Sequence, residues 1–206
     1  MVLIGYCEKD YKKLREKMHI PFVVYEGYME SAGNLVNIKS DHFDGGVQAG
    51  RYLKSRGHRD VLCIADNNTC MDRERYTGLK SEIPDAELMV IPMEQEARRV
   101  FYMEHLEEIK KYTAVFAVSD HYAMDLIQFL KSAEVSVPED MSVVGFDNVR
   151  GSEKFVPALT TIKQDNRQRA ALAVNLLNQL RNGDCGDKNV NLDFVMGYAF
   201  NLCYLP

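Results

Sequence analysis

The apolar residues of this chain fall into short runs separated by longer stretches in which apolar and polar residues alternate with a helical period. A short, continuous apolar run rich in β-branched residues is typical of a strand buried on both faces of a parallel sheet. By this criterion the predicted strands are Val2–Tyr6, Ile20–Tyr25, Leu35–Ile38, Val61–Ala65, Leu88–Ile91, Ala114–Val118, Met141–Phe146, Leu159–Ile162 and a closing strand near Phe194–Met196.

The stretches between these runs predict helices. In Asp41–Arg56 the apolar positions lie on one helical face, and Gly57 provides a stop. The full set of predicted helices is Asp10–Met18, Asp41–Arg56, Arg73–Ser81, Glu94–Tyr112, His121–Ala133 and Asp165–Arg181. Because strands and helices alternate along the whole chain, the sequence predicts a doubly wound α/β fold.

Length and charge narrow the functional classes. A chain of 206 residues can form one large domain or two smaller lobes. It carries 25 basic and 30 acidic residues, a net charge of −5, which argues against direct binding to nucleic acid or an anionic membrane. No apolar run is long enough to cross a bilayer, and the N-terminus has no signal-peptide pattern. We therefore expect a cytoplasmic protein.

The cysteine pattern agrees with that location. The five cysteines are an odd number and include no CxxC pair. Cys7 and Cys63 lie in apolar, strand-like runs, so we expect free thiols in a reducing compartment rather than a metal cluster or a disulfide framework.

Polar side chains stand at or beyond the ends of several predicted buried strands. They are Arg75, Ser119, Asp147 and Gln164. Ligands of open α/β sheets collect at the carboxyl ends of the strands, and this mixture of groups suits a polyhydroxylated ligand. The alternatives are that Asp147 only caps a loop, or that Arg75 and Asp147 only pair with each other.

Other polar residues have simpler explanations. Asp41 and Asp44 could form a carboxylate pair, but the start of a helix accounts for them more economically. No nucleophile, metal or phosphate-loop motif is present, so no catalytic residue and no cofactor is predicted. We interpret every histidine as a surface or capping residue: His19, His42, His58, His105 and His121.

Several motifs, in order, resemble the LacI/GalR family of bacterial transcriptional regulators. They are Asp41 followed by Gly45-Gly46 and the segment 49–58, Arg75 with Gly78, Ser119-Asp120 with Ala123, Ser142–Asp147 (SVVGFD), and Pro157–Asp165 (PALTTIKQD). The match runs from Val2 to about Met196 and is to the effector-binding domain of that family. The resemblance implies two Rossmann-like lobes of periplasmic-binding-protein type I, joined by three crossovers.

The resemblance also implies roles for individual residues. Arg75 and Asp147 match the arginine and the carboxylate that bind effector hydroxyls, Ser119 matches a position that is often asparagine, and Gln164 matches a glutamine near the crossover. Asp44 matches a position that takes part in an allosteric hydrogen-bond network in some members. Tyr25, Phe146 and Tyr122 are the aromatic residues that could contribute to the walls of the site.

Two departures from the family pattern shape the expected organisation. Neither the DNA-binding headpiece nor the first two βα units of the domain are matched. The resemblance therefore implies one effector-binding domain, residues 1–206, in which lobe one is 1–57 plus 163–181 and is truncated. Lobe two is 58–162 plus 182–206. For the truncated fragment we expect an exposed apolar edge or face that favours self-association.

The leading functional hypothesis is the effector-binding and dimerisation domain of a transcriptional regulator. Its partners would be a small-molecule effector such as a sugar, a second copy in a homodimer, and DNA only through a headpiece absent from this chain. Alternatives are a solute-binding protein of a sugar uptake system, an enzyme on a Rossmann-like fold, and a fragment without ligand activity.

Overall fold

A computed structural model describes residues 2–4, 20–26, 34–66, 69–183 and 189–197, so the predicted helix Asp10–Met18 lies outside the described residues.

The chain divides into two compact units. Unit 1 comprises Met1–Asp41 and Asp165–Asp193, and unit 2 comprises His42–Gln164 and Phe194–Pro206. In chain order the elements are β1 Val2–Ile4, β2 Phe22–Tyr25, β3 Leu35–Ser40, α1 His42–Ser55, β4 Val61–Ala65, α2 Cys70–Glu82, β5 Glu87–Val90, α3 Gln95–Glu104, α4 Leu106–Ile109, β6 Ala114–Ala117, α5 Asp120–Ser132, β7 Ser142–Asp147, a 3-10 turn Ser152–Lys154, β8 Thr160–Lys163, α6 Asn166–Arg181, β9 Asn189–Leu192 and β10 Val195–Gly197.

Unit 1 is built on a parallel sheet in the order β1-β2-β3-β9. Helix α6 covers one face, where Ala173 and Leu176 join the buried side chains of β2 and β3. A capping interaction starts α6, because the Asp165 carboxylate accepts hydrogen bonds from the backbone N–H groups of residues 167 and 168.

Unit 2 contains a sheet in the order β10-β8-β7-β6-β4-β5, which is parallel except for the antiparallel pair β10–β8. All residues of β4 and β6 are buried, as expected for strands covered on both faces. Two separate apolar cores account for this burial, one containing Tyr102 and Leu126, the other containing Leu53 and Phe116.

Helices α1 and α2 of unit 2 pack against each other at backbone contact distance. A Cβ atom at Gly46 would lie 2.0 Å from the carbonyl oxygen of Arg75, and one at Gly78 would lie 2.0 Å from the carbonyl oxygen of Phe43. Only glycine fits at these two positions. The pair of glycines therefore attaches α1 to unit 2.

The boundaries of the two units differ from those of the predicted lobes. The first boundary lies at Asp41–His42 rather than after Gly57, because α1 belongs with α2. Unit 1 also extends to Asp193 rather than ending at Arg181, because β9, which the sequence did not predict, pairs with β3. The predicted helix Glu94–Tyr112 is divided into α3 and α4 at His105.

Among the described helices, none combines the length and the apolar character that a bilayer crossing requires.

Candidate functional site

Three of the four residues expected at the site meet in unit 2. Asp147 ends β7 and is paired with Lys163 of the neighbouring strand β8, which places Gln164 beside it. Gln164 Nε2 donates a hydrogen bond to Asp147 Oδ1 at 2.5 Å, and Arg75 Nη2 lies 3.9 Å from the same oxygen. One carboxylate oxygen thus faces both an amide and a guanidinium.

Arg75 is held in place by its surroundings. It lies on α2 and is 8% exposed. Its Nε donates to His42 Nδ1 at 3.2 Å, its Nη1 donates to the carbonyl oxygen of Val118 at 2.5 Å, and its Cζ lies 3.8 Å from the centre of the Phe146 ring. A guanidinium over an aromatic face gains a cation–π attraction. The orientation of Arg75 is therefore fixed before any ligand arrives.

The backbone at the end of β7 adopts an unusual conformation. Asp147 has φ 106° and Asn148 has φ 51°, and neither is glycine. Such conformations cost on the order of 1–3 kcal/mol each and persist only where the surroundings impose them. The side chain of Asp147 is also more exposed than that of Arg75, 29% against 9%, so the pair is open to solvent on the Asp147 side.

Ser119 is next to this group, but its hydroxyl has a structural partner. The residue follows Val118, whose carbonyl oxygen binds Arg75. Its Oγ accepts a hydrogen bond from the backbone N–H of His121 at 3.3 Å and caps the start of α5. The structure therefore joins Arg75, Asp147 and Gln164 through side chains, and places Ser119 beside them as a helix cap.

Asp44 and the three aromatic residues that the sequence analysis named do not form one group in the structure. Asp44 Oδ2 accepts a hydrogen bond from Gln48 Nε2 at 2.6 Å, within α1. Phe146 lies under Arg75, whereas the ring of Tyr122 lies beside Arg98 at 4.7 Å. Tyr25 belongs to unit 1.

The interpretation of every histidine as a surface or capping residue is wrong for two of the histidines. His42 is 3% exposed and its ring packs beside the Phe146 and Phe194 rings, where its Nδ1 accepts a hydrogen bond from Arg75. His58 is also buried, with its Nδ1 3.0 Å from Thr113 Oγ1. Their positions next to helix ends suggested exposure, and only the packing of α1 into unit 2 buries His42.

Asp120 is a buried carboxylate that the sequence did not single out as a site residue. It is 0% exposed, at the first turn of α5. It accepts hydrogen bonds from Thr161 Oγ1, Ser152 Oγ and the backbone N–H of Val149, at 2.5, 2.7 and 2.8 Å. Burial raises the pKa of Asp120, and these donors lower it in part. An acid at the start of a helix is so common that the sequence carries no signal for this arrangement.

Unit 1 has a polar cluster of its own at the carboxyl ends of β2 and β3. Glu26 forms an ion pair with Arg169 and accepts a hydrogen bond from Ser40 Oγ at 2.6 Å. The Arg169 guanidinium lies 5.0 Å from the centre of the Tyr25 ring. A cavity of about 460 Å³ lies against Tyr25, Glu26, Asn166 and Arg169. The sequence pointed to Tyr25 here and not to the charged residues.

These groups define the chemistry that is available. Within the described part of the chain, no group of three or more His, Cys, Asp or Glu side chains could hold a metal ion. The unit 2 cluster instead offers a guanidinium, a carboxylate and an amide, with the guanidinium over the Phe146 ring. This is the composition of a site for a polar small molecule.

Comparisons with known proteins identify the family and the fold. The profile of the periplasmic binding protein-like domain matches residues 51–194. The chain is 34% identical over 182 residues to the HTH-type transcriptional repressor PurR of Edwardsiella ictaluri, covering 84% of this chain and 53% of that protein. The PurR of Salmonella arizonae is 33% identical over 180 residues, with the same shares covered. The chain therefore spans about half the length of these curated relatives.

Solved structures show the same fold. A LacI family transcriptional regulator from Enterococcus faecium with bound ribose matches with a TM-score of 0.86 and 25% identity, over 100% of this chain and 80% of that one. The lac repressor dimer bound to operator and an anti-inducer matches with a TM-score of 0.82 and 22% identity, over 98% of this chain and 73% of that one.

The fold and the family match show the class of domain. It is an α/β domain with parallel sheets of the periplasmic-binding-protein type, as predicted. This chain belongs to the periplasmic binding protein-like domain family, and the predicted resemblance to LacI/GalR effector-binding domains is confirmed.

Proposed function

We propose that this chain is the effector-binding domain of a bacterial transcriptional regulator and that its effector is a sugar. The observation that carries the proposal is the side-chain group Arg75, Asp147 and Gln164, in which Arg75 lies over the Phe146 ring. The repressors among its relatives favour a regulator over a component of an uptake system.

The geometry supports a sugar in particular. Arg75 supplies donors and Asp147 supplies acceptors, so adjacent hydroxyl groups can bridge the two side chains. The Phe146 ring lies 3.8 Å from Arg75 Cζ and supports the guanidinium, so Arg75 and Asp147 would supply the polar recognition of a sugar. The structurally similar Enterococcus faecium regulator holds ribose, which makes ribose the first ligand to test.

Titration calorimetry with ribose, other sugars and nucleosides tests the proposal. Asp147→Asn removes the charge and keeps the size of the side chain. Since a hydrogen bond to a charged group contributes about 1.5–3 kcal/mol, ribose affinity should fall by roughly 10- to 100-fold. Asp85→Asn, the same change at an exposed turn of unit 2, is the matched control and should bind normally. If no ligand produces heat with the unaltered chain, or if Asp147→Asn binds like Asp85→Asn, the proposed site is wrong.

We further propose that the regulator is a homodimer that associates through α3. Three large apolar side chains on or next to this helix are exposed: Met93, Val100 and Met103, at 71%, 49% and 62%. Val100 and Met103 share a helical face, and clustered exposed apolar residues are typical of protein interfaces. Light scattering of Met103→Glu should give a monomer where the unaltered chain gives a dimer. A dimer in both would exclude this face.

The polar group of Arg75, Asp147 and Gln164 favours ligand binding without catalysis. The Asp147 carboxylate is engaged by Gln164 and Arg75, and the Ser119 hydroxyl caps a helix, so no nucleophile is paired with a base in this group. We infer a non-enzymatic, cytoplasmic role in which any DNA contact is made by a headpiece outside residues 1–206. After the chain is incubated with a sugar that it binds, mass spectrometry should show that the sugar is chemically unchanged.

A further inference from the structure

Two consecutive residues at the end of β7 require external support. Asp147 and Asn148 both have positive φ, at 106° and 51°. A residue with a side chain rarely adopts positive φ. Asparagine tolerates a value near 51° better than most residues, so Asp147, at 106°, has the more unusual conformation. The direction of the Asp147 carboxylate depends on this conformation, because the backbone of residue 147 sets where its side chain points.

The support comes from the buried Asp120 carboxylate. The backbone N–H of Asn148 donates to Thr161 Oγ1 at 3.2 Å, and that hydroxyl donates in turn to Asp120 Oδ1 at 2.5 Å. The next backbone N–H, that of Val149, donates directly to Asp120 Oδ2 at 2.8 Å. Both carboxylate oxygens are therefore used to hold the two peptide groups that follow Asp147.

The Asp120 side chain is itself held in place by its neighbours. Ser152 Oγ donates to Oδ2 at 2.7 Å, which ties the carboxylate to the far side of the same loop. In β7, a Cβ atom at Gly145 would lie 2.3 Å from Asp120 Oδ1, so this strand position must be glycine to admit the carboxylate. Asp120 and Thr161 are both buried, so the network has little freedom to rearrange.

We propose that Asp120, acting through Thr161 and the Val149 N–H, is a positioning residue that holds Asp147 in its binding conformation without touching the ligand. The part of this inference that concerns ligand affinity rests on the proposed function. The part that concerns the conformation of Asp147 does not, so the two can be tested separately.

Thr161→Val is the variant that tests the relay, because valine has nearly the shape of threonine but cannot bridge Asn148 and Asp120. Its ligand-free crystal structure should show Asp147 or Asn148 leaving positive φ and the Gln164–Asp147 hydrogen bond lost. Ribose affinity should fall by at least about tenfold, a typical loss when a buried hydrogen bond to a charged group is removed. Thr161→Ser restores the hydroxyl and should restore both properties.

The possible outcomes separate the positioning role from the proposed function. Unchanged φ values in Thr161→Val, with the Gln164–Asp147 bond intact, would overturn the positioning role whatever ribose does. Ribose binding by neither the unaltered chain nor Thr161→Ser would overturn the proposed function, while the crystal structure would still decide the conformational claim. If Thr161→Val does not fold, Asp120→Ala, which removes both oxygen acceptors, is to be measured in the same way and should show the same two losses.

Discussion

Arg75 Nε donates a hydrogen bond to Nδ1 of His42 at 3.2 Å, and both side chains are buried in unit 2. Nδ1 can accept only when it carries no proton, so His42 must be in the tautomer protonated at Nε2. His42, which begins α1, therefore orients Arg75, and we propose that Arg75 binds the effector.

His42→Phe tests this relationship. Phenylalanine retains the aromatic packing with Phe146 and Phe194 but leaves the buried Arg75 Nε without its acceptor. We expect a loss of about 1–3 kcal/mol in the free energy of unfolding and weaker ribose binding. Denaturant unfolding and calorimetry measure the two effects. His121→Phe, at an exposed position on α5, serves as the control and should change neither.

The contact between α1 and α2 yields a prediction about stability. In Gly46→Ala the new methyl group would lie 2.0 Å from the backbone carbonyl oxygen of Arg75, so the helices must separate. We expect a loss of at least about 2 kcal/mol, at the upper end of the cost of overpacking. Gly50→Ala has its nearest contact at 2.9 Å, with Glu82 Cβ, and should cost less. Equal midpoints of urea unfolding for the two variants would show that the helices are not in backbone contact.

The pKa of Asp72 leads to a prediction about pH. Burial raises the pKa of this carboxyl, while its hydrogen bond with Thr69 and the charge of Arg75 lower it in part. A carboxyl whose pKa is higher in the folded state stabilises the fold when protonated, and that contribution is lost as the pH rises through the folded pKa. The free energy of unfolding of the unaltered chain, minus that of Asp72→Asn, should therefore decrease from about pH 4 upward. A difference that increases with pH would contradict the assigned direction.

The ion pair of unit 1 can be tested independently of the ligand. Glu26→Gln leaves the largely buried Arg169 without its carboxylate. We expect a loss of about 1–3 kcal/mol, reduced from the cost at a fully buried pair by partial exposure. Amide hydrogen exchange should locate the effect in β2 and β3. Faster exchange throughout β4 and β6 instead would show that the effect is not confined to unit 1.

The sequence predicted much of the fold because buried parallel strands leave a continuous apolar run. Val61–Ala65 is found as predicted, and Met141–Phe146 corresponds to β7 with a shift of one residue. The assignment of α1 to unit 2 was harder to predict, because it depends on Gly46 and Gly78 each approaching the backbone of the opposite helix. A glycine in a sequence does not reveal which backbone approaches it.

The sequence also predicted that some residues of the candidate site lie close together. Asp147 and Gln164 follow strands that are neighbours in the sheet, and such adjacency can be read from apolar runs and the family resemblance. His42 and Asp120 act on the site through other residues, and their partners lie 33 and up to 41 positions away along the chain. Only the folded arrangement reveals contacts of that kind.

The most direct test of the central claim is a crystal structure of this chain with bound ribose. We predict ribose hydroxyl groups within hydrogen-bond distance of the Asp147 carboxylate and the Arg75 guanidinium, with Arg75 still above the Phe146 ring. Ribose bound away from both side chains would contradict the account.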